Sequence, residues 1–104
     1  MKLVVNAQAK TKSNLRLREG AGTSFATIAI LQTDVIVVAL ESSVKNWVRV
    51  KVNGWTLDDK KIYSEPDERS SIKATRNKTW KQVTLTGYVS TTYLTVIDGP
   101  TQIF

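Results

Sequence analysis

The chain contains neither histidine nor cysteine. Ser-His-Asp and Cys-His constellations are therefore unavailable, as are imidazole or thiolate metal ligands and disulfides. General acid–base chemistry would fall to carboxylates, and two adjacent pairs exist, Asp58-Asp59 and Asp67-Glu68. Both lie in polar surroundings. Adjacent residues of an extended strand point to opposite faces, so neither pair converges on one reacting atom. Gly20-Ala21-Gly22 is not followed by a helix start and makes no phosphate loop. Asn77-Lys78-Thr79 fits a glycosylation acceptor, a three-residue match of little weight. These readings predict no enzyme, no catalytic residue, no metal and no cofactor.

Binding chemistry is better represented. Trp47-Val48-Arg49-Val50-Lys51-Val52-Asn53-Gly54 alternates strictly. As a strand it sends Val48, Val50 and Val52 to one face, and Trp47, Arg49, Lys51 and then Trp55 to the other. The valine face reads as core. The opposite face combines indoles, which can stack on rings, with cations, which attract anions. Trp80-Lys81-Gln82-Val83-Thr84-Leu85-Thr86-Gly87 echoes the spacing. A basic stretch precedes and enters it: Arg69, Lys73, Arg76, Lys78 and Lys81, with no acid between. The net charge of +6 favours anionic partners, although a charge of this size also serves solubility alone.

These side chains must be positioned by strands. At 104 residues and 41% apolar content, one domain with its own core is expected. Leu3-Val4-Val5 is a short strand candidate, and Ala7 to Asn14 reads as polar and irregular. Leu15-Arg16-Leu17-Arg18 alternates, and Glu19 to Ser24 is a loop by its Gly and Ser content. Ile28 to Leu31 is a short apolar run. Asp34 suits a left-handed turn position, and Val35 to Leu40 reads as a buried strand. Asn53-Gly54 is a hairpin signal. Thr56 to Lys61 is polar with a turn-like centre, and Ser64-Glu65-Pro66-Asp67-Glu68 resembles the start of one short helix. Trp80 to Leu85, Gly87 to Ser90 and Tyr93 to Ile97 complete the strands. No helical periodicity persists over a 12-residue window, so the expected class is all-β, a small barrel.

In this order the motifs resemble a bacterial SH3-like domain. The family's leucine-x-valine-arginine strand and Gly-Pro-x-Thr-Ser-Tyr loop are matched by Leu15-Arg16-Leu17-Arg18 and Gly20-Ala21-Gly22-Thr23-Ser24-Phe25. Its next turn and strand are matched by Ile28-Ala29-Ile30-Leu31 and Val35-Ile36-Val37-Val38, and its tryptophan strand by Trp47-Val48-Arg49-Val50. Its closing motifs are matched by Gly87-Tyr88-Val89-Ser90 and Tyr93-Leu94. Ala21, Ala29 and Asp34 depart from the family's usual Pro and Gly. The larger departure is that residues 55–86 intervene where the family passes directly between strands.

The resemblance implies a single SH3-like, partly open β-barrel over residues 1–104, with 55–86 as an insertion and at most one short helix. Trp80 can also take the place of the family's tryptophan. The two placements are reconciled if the Trp47 strand runs on past Trp55 and the Trp80 strand returns antiparallel, since a long excursion at a hairpin tip costs little extra entropy. The resemblance also implies an aromatic-lined groove of Phe25, Trp47, Tyr88 and Tyr93, rimmed by Arg18 and Glu19, with Arg49 and Lys51 on the same polar face. Phe25 and Tyr93 are alternatively core residues. Trp55 and Trp80 read more readily as a second small core than as ligand contacts.

The function expected first is a non-catalytic module that binds cell-wall glycopeptide or an associated anionic polymer. A protein–protein adaptor, such as a phage or secretion-structure component, comes second. Third is single-stranded nucleic acid, from the basic residues set among tryptophans. The first residues lack an apolar run long enough for a signal peptide. The expected location is cytoplasmic or phage-derived for a full-length chain, and extracellular for a piece of an exported protein.

Overall fold

A computed structural model describes residues 3–66 and 80–98. Their regular structure is almost all strand: β1 (Gln8–Thr11), β2 (Leu15–Arg18), β3 (Thr27–Leu31), β4 (Ile36–Ala39), β5 (Trp47–Thr56), β6 (Lys61–Ile62), β7 (Lys81–Ser90) and β8 (Leu94–Asp98). They form one sheet in the order β6-β3-β2-β7-β5-β4-β1-β8, which curls around a core without closing its ladder. All neighbours are antiparallel except β3 and β6. The one helical element among the described residues is a 3₁₀ turn at Thr91–Tyr93. Ser64–Pro66 is not helical; Asp67 and Glu68, the rest of the expected helix start, lie outside the described residues.

The alternation read in the tryptophan strand is the pattern observed. Val48, Val50 and Val52 are buried, while Arg49, Lys51 and Asn53 are exposed. They share one core cluster with Leu15, Leu17, Ala29 and Leu31 and with their ladder neighbours Val37, Ala39 and Val89. The strand at 35–40 is buried on one face only, with Val37 and Ala39 inside and Ile36 exposed. Asp34 occupies the left-handed region at φ 68°.

Two expectations are corrected near the N-terminus. Leu3-Val4-Val5 is not a strand, although Leu3 is buried and bonded to Ser43 through both backbone groups. The strand is instead β1, within the stretch expected to be irregular. Ala9 and Thr11 are its buried positions, continuing from buried Ala7 just before it, and Gln8 and Lys10 face out. The inward positions alternate properly but are small, which weakens the hydrophobic signal. Thr11 also anchors the far side of the core. Its backbone pairs with Asp34 and Val35, and its hydroxyl accepts the Val35 N–H at 3.1 Å while donating to the Gln32 carbonyl.

β5 and β7 form a single ten-rung antiparallel ribbon running from Trp47↔Ser90 to Thr56↔Lys81. Asn53-Gly54 therefore continues the strand rather than turning it. The first and last parts of the insertion are the outer end of this ribbon. Beyond it the chain turns at Leu57–Lys60 and returns as β6, a strand not legible in the polar 56–61 stretch. Tyr63 then exchanges both backbone hydrogen bonds with Trp55 at 2.8 Å. This return explains Gly54. A Cβ there would stand 2.4 Å from Ile62 Cγ2 and 2.9 Å from the Tyr63 carbonyl oxygen. Gly54→Ala is expected to destabilise the fold by about 1–2 kcal/mol in a denaturant titration, because one contact is backbone and cannot rotate away. A neutral result would mean that β6 does not press on the ribbon.

Candidate functional site

The site begins where two strands part. β2 and β7 share a single ladder pair, Arg18↔Tyr88. From there toward Asn14 the strands diverge, and a groove of about 420 Å³ opens between them. Asn14, Leu15, Arg16 and Arg18 form one bank; Trp47, Ser90, Thr92 and Tyr93 form the other, and Thr23 lies in the adjoining loop. No carboxylate lines it.

Each bank is held by local chemistry. Trp47 follows a two-residue turn in which Lys45 (φ 50°) and Asn46 (φ 71°) are both left-handed. Val44 and Trp47 exchange both backbone bonds across it, at 2.8 and 2.9 Å, the geometry of a primed hairpin turn. The Asn46 carbonyl accepts the Thr91 N–H at 2.8 Å, tying this turn to the 3₁₀ turn that carries Tyr93. The Ser90 hydroxyl caps that turn by accepting the Thr92 N–H at 3.3 Å. On the other bank, Arg18 donates to the carbonyls of Thr23 and Phe25 at 3.0 and 2.9 Å. Its guanidinium thus shapes the loop that ends the groove. Arg16 reaches the Thr27 hydroxyl only at 3.4 Å and is the less committed cation.

Of the residues expected in the groove, Arg18, Trp47 and Tyr93 are brought together there. Tyr93 is 49% exposed and is not core. Phe25 is 48% exposed and does not line the groove; its ring packs against Gly20 in the loop. Glu19 is exposed, and its N–H bonds to the Ala26 carbonyl. Tyr88, Arg49 and Lys51 lie beside the groove on the outer face of the ribbon, with Tyr88 opposite Arg49 and Thr86 opposite Lys51. Arg16, Ser90 and Thr92 are additional groove residues. Arg16 was legible as the outward partner of Arg18 in an alternating strand; the other two owe their place to the 3₁₀ turn.

The insertion's described residues do other work. Trp80 meets Tyr63, not Trp55, edge-on, with ring centroids 5.2 Å apart. The Asp58 carboxylate accepts the N–H groups of Lys60 and Lys61 at 2.9 Å each, which shapes the turn into β6. Asp59 pairs with Lys81 at 2.8 Å, both side chains being more than half exposed, so this pair adds little stability. Arg69, Lys73, Arg76 and Lys78 lie outside the described residues. Among the described residues no group of three or more acidic side chains is placed to hold a metal ion, and no helix is long and apolar enough to cross a membrane.

Comparison of the chain with protein-family models, with curated proteins and with solved structures finds no match.

Proposed function

We propose that the chain is a non-catalytic binding module of the bacterial SH3-like kind, and that its groove holds cell-wall glycopeptide or an anionic polymer joined to it. The observation that carries this reading is the lining of the groove. Trp47 and Tyr93 offer aromatic surface, Arg16 offers a charge, and Ser90, Thr92 and Asn14 offer hydroxyl and amide groups. That set suits a ligand with rings or an extended backbone, many hydrogen-bonding groups and negative charge. It lacks a nucleophile paired with a base, so it supports holding rather than cutting.

Retention on purified, nuclease-treated bacterial cell walls at low salt tests this reading. The wild-type chain is expected to be retained, and Trp47→Ala to weaken retention about tenfold, a typical loss for a central aromatic contact. Tyr93→Ala, at a more exposed position, is a second variant less able to disturb folding and is expected to act in the same direction. Absence of retention by the wild-type chain sinks the proposal.

A further inference from the structure

The groove occupies only one margin of the sheet's outer face. Residues paired across strands share a face, so the ladders define its rows. One row is Arg18, Tyr88 and Arg49, from β2, β7 and β5. The next is Thr86, Lys51 and Val38. A third is Thr84, Asn53, Ile36 and Lys10. At the groove margin Trp47 lies opposite Ser90. No Asp or Glu occupies any of these positions. Lys10 pairs with Asp34 at 3.8 Å at the far margin. Arg49 and Lys51 have no carboxylate partner among the described residues, and both are exposed.

We infer that this face binds single-stranded nucleic acid, with Arg49 and Lys51 on the phosphates and Tyr88, flanked by Trp47, offering ring surface to bases. The inference goes beyond the groove reading and does not rest on it. Tyr88 stands directly opposite Arg49 on the adjacent strand, at the strand spacing of roughly 5 Å, with Lys51 one row further along β5; Arg18, beyond Tyr88, is held by the loop carbonyls. Arg49 and Lys51 form a charged strip on the outer face of the sheet, beside the Thr84 and Thr86 hydroxyls and the Trp47 indole. Charge alone would suit any polyanion. The aromatic residues beside these cations, Tyr88 and Trp47, select a polyanion that also carries flat rings. A duplex hides its bases from such a face, and an acidic peptide offers no regular series of rings. The Thr84–Asn53 hydrogen bond, at 2.9 Å, satisfies the polar groups at the centre of the third row, leaving cations and rings as the dominant features.

Fluorescence anisotropy with a labelled 20-nucleotide oligo-dT, on the full chain at 50 mM salt, tests the inference. Saturable binding is expected, weakening steeply as salt rises. The double variant Arg49→Ala/Lys51→Ala is expected to lose about tenfold or more in affinity and to lower the salt slope by roughly 1.4, for two phosphate contacts on a single strand. Tyr88→Ala is expected to cost about tenfold, whereas Tyr88→Phe, which keeps the ring, retains most of the affinity. Arg49 and Lys51 are exposed and Tyr88 is half-buried, and a thermal melt of each variant separates a binding loss from unfolding. The idea fails if the wild-type chain does not bind, or if the double variant binds as well as wild type. It fails equally if inorganic polyphosphate or a duplex of the same length competes as strongly as the oligonucleotide. The assay contains no wall material and the wall assay contains no nucleic acid, so failure of either reading leaves the other standing.

Discussion

Gly87→Val is expected to lower the unfolding free energy by about 3 kcal/mol, and Gly87→Ala by about 1–2 kcal/mol, the range for forcing atoms into a packed interior. Gly87 is buried in the middle of β7 at the point where β2 crosses closest. A Cβ at this position would stand 2.8 Å from the Arg18 carbonyl oxygen, 2.9 Å from Leu17 Cγ and 3.0 Å from Ile28 Cδ1. The first of these atoms belongs to backbone, so relief requires β2 to move away from β7. That movement would break the Arg18↔Tyr88 pair, which is the whole ladder between the two strands. It would also widen the groove at the end shaped by Arg18. Denaturant titration should show the stability loss, and wall retention of the alanine variant should fall with it. An alanine variant as stable as wild type would mean that β2 and β7 are farther apart than the geometry gives.

Leu17→Ala is expected to cost about 2–5 kcal/mol, the range for emptying a fully buried leucine site. Leu17 is inaccessible to solvent and belongs to the core cluster. It pairs with Ala29, whose small side chain cannot expand to fill the space. The strand register shifts between Leu17 and Arg18, so the backbone here already departs from a regular ladder. Because Leu17 is one of the atoms that a Cβ at Gly87 would meet, the two substitutions should couple. In Leu17→Ala/Gly87→Ala the new methyl enters part of the vacated space, and the combined loss should fall short of the sum of the single losses. Strict additivity would show that the Arg18 carbonyl alone sets the cost at Gly87.

The candidate groove and the cationic face are successive rows of one surface. Their shared boundary is Arg18, whose guanidinium is occupied by the Thr23 and Phe25 carbonyls. Arg18 is therefore placed to hold the loop in position, and the cations free to meet a ligand are Arg16 on one side and Arg49 with Lys51 on the other. Removing Arg18 would change both surfaces at once, which makes it a poor probe of either; Tyr93 and the Arg49/Lys51 pair separate them.

Much of the sheet was legible because its strands carry the period-2 signal at full strength. Leu15/Leu17 and Val48/Val50/Val52 are large, β-branched or aliphatic, and alternate with cations. The ribbon joining Trp47 to Trp80 was legible from the echo between the two blocks. β1 was not, because Ala9 and Thr11 fill their inward positions with little apolar surface, and propensity ranks such a stretch as irregular. β6 was not, because two residues have no periodicity; it exists only through bonds to β3 and, through Tyr63, to Trp55. For the site, the family resemblance pointed to Trp47, Tyr93 and Arg18, and it could not tell Phe25, which turns onto Gly20, from a groove residue.

The sequence by itself determined the class of the fold, the inward face of β5 and the exclusion of histidine and cysteine chemistry, because these follow from composition and from alternation along one strand. Only the tertiary structure decided which outward residues meet. The register between β5 and β7 sets Tyr88 against Arg49, and the parting of β2 from β7 makes a groove of Arg16, Trp47 and Tyr93. Gly54 marks where the chain returns onto its own strand as β6, and Gly87 where β7 approaches β2, distant in sequence, within a Cβ. Such distances depend on how strands cross, and the order of residues along one strand does not encode them.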